Sequence, residues 1–259
     1  MMLTRTLLLL TLFWLGGLVA EQALVAQDLS TVPISFVSTT RVSARFQRET
    51  EVATRSVPPQ VWKTLGEAGW RVQLAEFVVD AAPALSGVRP PGWPRDLTWD
   101  NSDAIHLPTS KLLVVAEKRR NRAGEIVDSS RVSGVLRHEI GHAFDMAASG
   151  SHEFLSASPQ FMWAYQQDVS RIPSRDRGTL AYYLQDGRGG LRETFAEAFA
   201  VVLGGGSSDI EPADFESQFP RVMAYTRAAI DKPVALSVTA APTASASGTI
   251  VRRRLFRRR

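Results

Sequence analysis

Between Asp28 and Pro233 the spacing of apolar residues switches back and forth between period two and period 3.6, so strands and helices alternate along the chain. Val32 to Phe46 has the β-branched content of a strand or extended segment. Pro58 and Pro59 then open a helix whose apolar positions Val61, Leu65 and Ala68 fall on one stripe, and Gly69 ends it. A strand follows, in which Trp70, Val72 and Leu74 alternate with Arg71 and Gln73 and Phe77 to Val79 continue the apolar run. Pro83 to Pro108 is rich in proline, glycine and tryptophan and reads as an ordered, irregular segment. Leu112 to Ala116 is a second strand, and Lys118 to Glu125 is a polar turn around Gly124.

Two later segments are helical by period and carry polar residues opposite their apolar stripe. From Val132 to Ala147 the stripe is Leu136, Ile140, Ala143 and Ala147, while His138, His142 and Asp145 point the other way. At about 100° per residue the two imidazoles stand one turn apart on one side with Glu139 beside them, and Gly141 leaves room close to the backbone. A tetrahedral zinc ion needs that arrangement: two neutral imidazoles hold it, a third ligand completes the protein set, and an open position takes water. Zinc lowers the pKa of that water to about 7, and Glu139 can accept its proton as it attacks a polarised carbonyl. Ordinary surface or core histidines are the plain alternative, but the chain has only four histidines and two of them fall in this pattern. His106 and His152 lie outside it and are expected to be loop residues rather than ligands.

The residues beyond this helix separate the groups of zinc peptidases. A metzincin would carry glycine at position 145 and histidine at 148; Asp145 and Ala148 exclude that class. Between Leu191 and Val202, Glu193, Glu197 and Ala200 share one helical face and Phe195, Phe199 and Val202 the opposite one. A solvated acidic face would be flanked by lysine; alanine and phenylalanine suit instead one zinc ligand and one outer group that orients a histidine. Spacing alone does not say which carboxylate is which.

HEIGHAFD, His138 to Asp145, and ETFAEAFA, Glu193 to Ala200, resemble in sequence and separation the anthrax lethal factor type of zinc metallopeptidase, which includes secreted proline-specific endopeptidases of clostridia. The resemblance spans roughly Trp70 to Ala229. It implies His138, His142 and Glu193 as ligands of Zn2+, Glu139 as the base, and Glu197 in the outer shell, where Asp145 is also assigned. The family has a tyrosine seven positions before the third ligand, thought to stabilise the oxyanion; that position is Asp186 here. Tyr183, ahead of the Gly187-Arg188-Gly189-Gly190 turn, is favoured in its place over Tyr182. The implied fold is α+β and zincin-like, with a small mixed sheet packed on the HEIGH helix, a mainly helical half supplying Glu193, and the cleft between them. The substrate is then a peptide or protein, an extended one pairing with the sheet edge beside the active helix, with Trp93 to His106 and the strand after it lining subsites, although Trp93 and Trp99 could equally be core. Two other functions use the same residues: a non-catalytic zinc-binding interaction domain, against which the intact Glu139 argues, and a zinc hydrolase of a non-peptide amide or ester.

Composition fits one catalytic domain with trimmings: 259 residues, 44% hydrophobic and 22% charged, can bury one good core, assigned to residues 28–233. Arg5 and the apolar run Leu7 to Ala20 read as a secretory segment within residues 1–26. Neither Ala20 nor Ala26 has a small residue at the minus-three position, so an uncleaved anchor is the alternative, and the protein is expected to be secreted or extracytoplasmic. The chain has no cysteine, which excludes disulfides and thiol chemistry. Arg252, Arg253, Arg254, Arg257, Arg258 and Arg259 outweigh the formal net charge of +4, so the rest is slightly acidic and no specific nucleic-acid partner is expected. Residues 234–259, an Ala/Ser/Thr-rich stretch ending in those arginines, read as a disordered tail, either simply solvated or drawn to an anionic surface. The chain is read as a monomer.

Overall fold

Four short strands carry the site: β1 (Ser35–Ser38), β2 (Arg71–Ala75), β3 (Ala104–Leu107) and β4 (Leu112–Ala116), side by side in the order β1-β2-β4-β3. β1, β2 and β4 run parallel, while β3 returns antiparallel to β4 and sets Ile105 opposite Val114 and His106 opposite Leu113. β3 is therefore an edge strand. The computed structural model describes residues 35–38, 41–90, 93–150 and 152–232. The expected secretory segment or anchor at 1–26 and the arginine-ended tail at 234–259 lie outside them.

Eight helices and a hairpin complete the chain: α1 (Ala44–Arg55), α2 (Pro59–Glu67), α3 (Val78–Ala81), the hairpin of β5 (Lys118–Arg120) and β6 (Ile126–Asp128), α4 (Val132–Ala147), α5 (Pro159–Val169), α6 (Arg188–Val202), α7 (Pro212–Gln218) and α8 (Pro220–Asp231), counted among the described residues. One face of the sheet buries Val72, Leu74, Leu113 and Val115 in the main core; the other buries Ala75, Ile105, Val114 and Ala116 with Val78. The fold is the expected α+β arrangement, a small mixed sheet on the HEIGH helix followed by a helical half.

α4 is the hinge of the packing. It lies against α6 over most of its length and also touches α1, β3 and β4. Its expected stripe, Leu136, Ile140, Ala143 and Ala147, is buried. Phe144 and Phe199, fully buried, tilt against each other with ring centroids 5.5 Å apart. Truncating either to alanine would cost about 3–5 kcal/mol. Gly141 permits this closeness: a Cβ there would lie 2.9 Å from Ala196 Cα. The space it leaves is filled by α6.

The structure departs from the sequence reading in five elements: Lys118–Arg120 of the expected polar turn is strand β5, Arg188 to Gly190 of the expected turn open α6, and three more follow. Among the described residues, the β-branched run from Val32 to Phe46 contributes strand at Ser35–Ser38, and Ser43 then caps a helix by accepting the Phe46 N–H at 3.2 Å. That helix, α1, buries Phe46, Thr50, Ala53 and Thr54, an i, i+4, i+7, i+8 face in which threonines stand where larger apolar residues would advertise it. Phe77 to Val79 does not extend β2; Phe77 precedes α3, its N–H donating to Asp80 Oδ2 at 3.2 Å. The irregular segment ends before Pro108, because Ala104–Leu107 pairs with β4.

Candidate active site

His138 and His142 stand one turn apart on α4, and Glu193 reaches them from α6. Glu193 Oε2 lies 3.2 Å from His138 Nε2 and 3.3 Å from His142 Nε2. Zinc bonded tetrahedrally at about 2.0–2.2 Å sets neighbouring ligand atoms about 3.3–3.5 Å apart, so these separations are close to edges of a zinc tetrahedron. All three donor atoms lie within 4.8 Å of one another. The two imidazole planes are nearly perpendicular, at 84°, with ring centroids 4.8 Å apart.

Glu197, one turn beyond Glu193, is completely buried, and its Oε2 accepts from His138 Nδ1 at 2.9 Å. That bond puts the His138 proton on Nδ1 and leaves Nε2 free for a metal. An ionised carboxylate at this depth is tolerable only if satisfied. The loop after α6 does so: Ser207 N–H and Oγ and Ser208 N–H and Oγ all donate to Glu197, at 2.6 to 3.3 Å. Gly206 is forced here, since a Cβ on it would sit 2.4 Å from Glu197 Oε1.

Burial acts to lower the His138 pKa, but hydrogen bonds to Glu193 and Glu197 outweigh it and raise it to about 10. Burial takes His142 down to about 4 against the pull of Glu193. For Glu193 burial acts upward, yet His142 and His138 bring it well below the carboxylate range; for Glu197 it also acts upward, and His138 and the two serines bring it down to about 2. Two ionised carboxylates thus hold His138 in its charged form beside a neutral His142, and a divalent cation would take the place of the His138 Nε2 proton between them.

Glu139 points into the same space. Burial acts to raise its pKa, but the hydrogen bond from His106 prevails and holds it below the usual value. His106 corrects the sequence reading: it is not a loop residue but the third position of β3, stacked on His142 at 4.3 Å with its Nδ1 3.2 Å from Glu139 Oε2. His106, Glu139 and His142 form a second group with metal-like separations. The first group suits zinc better, because both nitrogens of His106 are already engaged, Nδ1 by Glu139 and Nε2 by Arg192 at 2.9 Å. His152 is exposed in a turn, as expected.

Tyr182, and not the favoured Tyr183, is the tyrosine that faces the cleft. Tyr182 lines the cleft, and the hydrogen bond with Glu193 adds to the burial that pushes its hydroxyl pKa upward. Tyr183 is 2% exposed and faces Phe215 and Phe219; burial, then Glu197, raises its pKa, and its hydroxyl is turned toward Ser208 and Glu197 behind the histidines. In a tight turn consecutive side chains diverge, so a shift of one residue exchanges cleft for core. Asp145 is likewise no partner of the ligands: one turn past His142, it accepts from Ser156 N–H and Oγ, each at 2.7 Å, and pins α4 to the turn at Leu155–Ala157. Burial raises its pKa to about 6 against those bonds.

In front of these groups lies a cleft of about 620 Å³, walled by Pro90, Trp93, Pro94, Leu97 and Trp99 from the irregular segment and by Ala104, Ile105 and His106 of β3. Trp93 and Trp99 are thus cleft residues, their rings 5.7 Å apart. No protein-family profile and no curated protein matches the chain. Among solved structures, it is similar to the Pro-Pro endopeptidase PPEP-2 from Paenibacillus alvei, with a TM-score of 0.53 and 20% sequence identity over 74% of this chain and 96% of that one. The two share a zincin-like α+β fold.

Proposed function

We propose that the chain is an exported zinc-dependent endopeptidase of the lethal factor-like kind, with His138, His142 and Glu193 as ligands and Glu139 as general base. The observation that carries this reading is the convergence of the three donor atoms, with Glu193 Oε2 at 3.2 and 3.3 Å from the two imidazole nitrogens and Glu139 beside them at the floor of a peptide-sized cleft. Zinc bound by these residues would polarise the scissile carbonyl and lower the pKa of the attacking water to about 7. Glu139 takes the proton from that water and passes it to the leaving amine. The Tyr182 hydroxyl, on the cleft side of Glu193, donates to the oxyanion that develops on the carbonyl oxygen. Glu197 holds His138 in the tautomer that leaves Nε2 free. The free edge of β3 offers backbone hydrogen bonds to an extended substrate, and the proline and tryptophan wall offers it apolar surface. A non-catalytic zinc-binding domain has no use for an ionised Glu139 pointing into the cleft.

The test is digestion of a peptide library, with proline-containing members included because the structural neighbour is a Pro-Pro endopeptidase. Cleavage that is abolished by a chelator and restored by zinc supports the proposal. A zinc-loaded protein that cleaves only non-peptide amides or esters replaces the substrate class, and one that cleaves nothing removes the activity.

A further inference from the structure

The general base has a support that the zinc chemistry itself does not require. His106, on the edge strand, lies between Glu139 and Arg192: its Nδ1 is 3.2 Å from Glu139 Oε2, and its Nε2 is 2.9 Å from Arg192 Nη2. A guanidinium has donors and no acceptor, so at this contact Arg192 donates and His106 Nε2 accepts. The ring then carries its proton on Nδ1, the atom facing Glu139 Oε2. Arg192 itself is braced, its guanidinium carbon 4.5 Å from the centre of the Phe154 ring. His106 is held flat by stacking on His142 at 4.3 Å.

We infer that Arg192 and His106 are positioning residues for Glu139, a directional chain of hydrogen bonds that occupies Oε2 and leaves Oε1 as the oxygen that collects and returns the proton. The inference rests on the peptidase reading. Its physical content is that the base is fixed in orientation before substrate arrives and that its two oxygens have different work. One oxygen stays a hydrogen-bond acceptor throughout, and the other alternates between carboxylate and acid. Arg192 adjoins the ligand Glu193 on α6, so the chain ties the orientation of the base to the helix that supplies the third metal ligand.

Two substitutions at His106 separate positioning from packing. His106→Phe keeps a ring against His142 and removes both nitrogens; His106→Asn puts an amide N–H near the place of Nδ1. For the zinc-loaded chain and a cleaved peptide, His106→Phe is expected to lower kcat about 10 to 100-fold, the usual scale for an outer group, with zinc content and KM within about twofold. His106→Asn recovers most of that loss. Arg192→Leu gives a smaller loss and adds nothing in the His106→Phe background, because both act through one bond. Nitrogen-resolved NMR of the zinc-loaded parent is expected to show His106 with its proton on Nδ1, and Arg192→Leu to weaken that preference. A His106→Phe chain with parental kcat, losses at His106 and Arg192 that multiply, or a proton found on Nε2 overturns the inference. A parent that binds zinc and cleaves no peptide overturns the peptidase reading instead, and the NMR result still decides the hydrogen-bond chain.

Discussion

On the α4 and α6 side of the cleft every reactive group is held by the register of a helix; on the other side Tyr182, Trp93 and Trp99 are held by turns and irregular chain, and His106 by a four-residue strand. The helical side buries its polar groups to an unusual degree, Glu197 completely and His142 at 3% exposed; Glu197 is satisfied by His138 and the loop after α6, while His142 Nδ1 has no hydrogen-bond partner among the described residues. The opposite side leaves Tyr182 49% exposed. A metal site tolerates little freedom in its ligands, whereas a substrate cleft must stay open to an incoming chain. The difference predicts that lesions at His138, His142, Glu193 and Glu197 act on metal retention, whereas lesions across the cleft, like those at the base Glu139, act on turnover.

The largest effect is expected at Glu193. Glu193→Ala removes one of the three proposed ligands and should be isolated mostly metal-free, while Glu197→Ala should keep zinc with affinity lowered about 10 to 100-fold. Chelator competition on both variants and the parent reads this directly. If Glu197→Ala loses the metal and Glu193→Ala holds it, the two carboxylates exchange roles.

Across the cleft, Tyr182→Phe should lower kcat about 100-fold or more at unchanged zinc content, the scale for removing one oxyanion donor. Tyr183→Phe should leave kcat within a few-fold and act on stability, since that hydroxyl sits behind the ligands with Ser208 and Glu197. Steady-state kinetics beside zinc analysis distinguishes the two, and the opposite pattern would return the oxyanion role to Tyr183.

The same division marks what the sequence could reveal. A turn of helix is a covalent ruler, so His138, Glu139, His142 and the pair Glu193 and Glu197 could be placed on common faces from their spacing alone. His106 could not, because its position depends on β3 pairing with β4, a contact set by folding and not by local period. The alternation of Ala104, Ile105, His106 and Leu107, with Pro108 and then Leu112 to Ala116 after it, is the hairpin signal that could have found it. The run Gly204-Gly205-Gly206 announces a turn, but nothing in it says that Ser207 and Ser208 will donate to a buried carboxylate. α1 stayed hidden because its buried face relies on threonine and alanine beside a single phenylalanine.

The smallest effect tests a group near the site but outside it. Asp145 holds its proton up to about pH 6 in the folded chain, above the ordinary value of 3.8. The folded state therefore binds the extra proton between those pH values, and this contribution to stability is lost as pH rises through about 6. Asp145→Asn does not titrate, so its unfolding free energy relative to the parent should grow from pH 4 to pH 8, by on the order of 1–3 kcal/mol. Urea unfolding at several pH values checks it. A difference that is flat with pH, or one that shrinks, would mean that Ser156 holds Asp145 as an ordinary ionised carboxylate.

The central claim is that Glu139 performs the proton transfer while His138, His142 and Glu193 hold the metal. Its most direct test is zinc content and peptide turnover measured together on Glu139→Gln and the parent. One zinc ion per chain in both, with turnover lowered at least about a hundredfold in the variant, is the predicted result. Parental turnover in the zinc-loaded variant, or a parent that retains no zinc, would contradict the account.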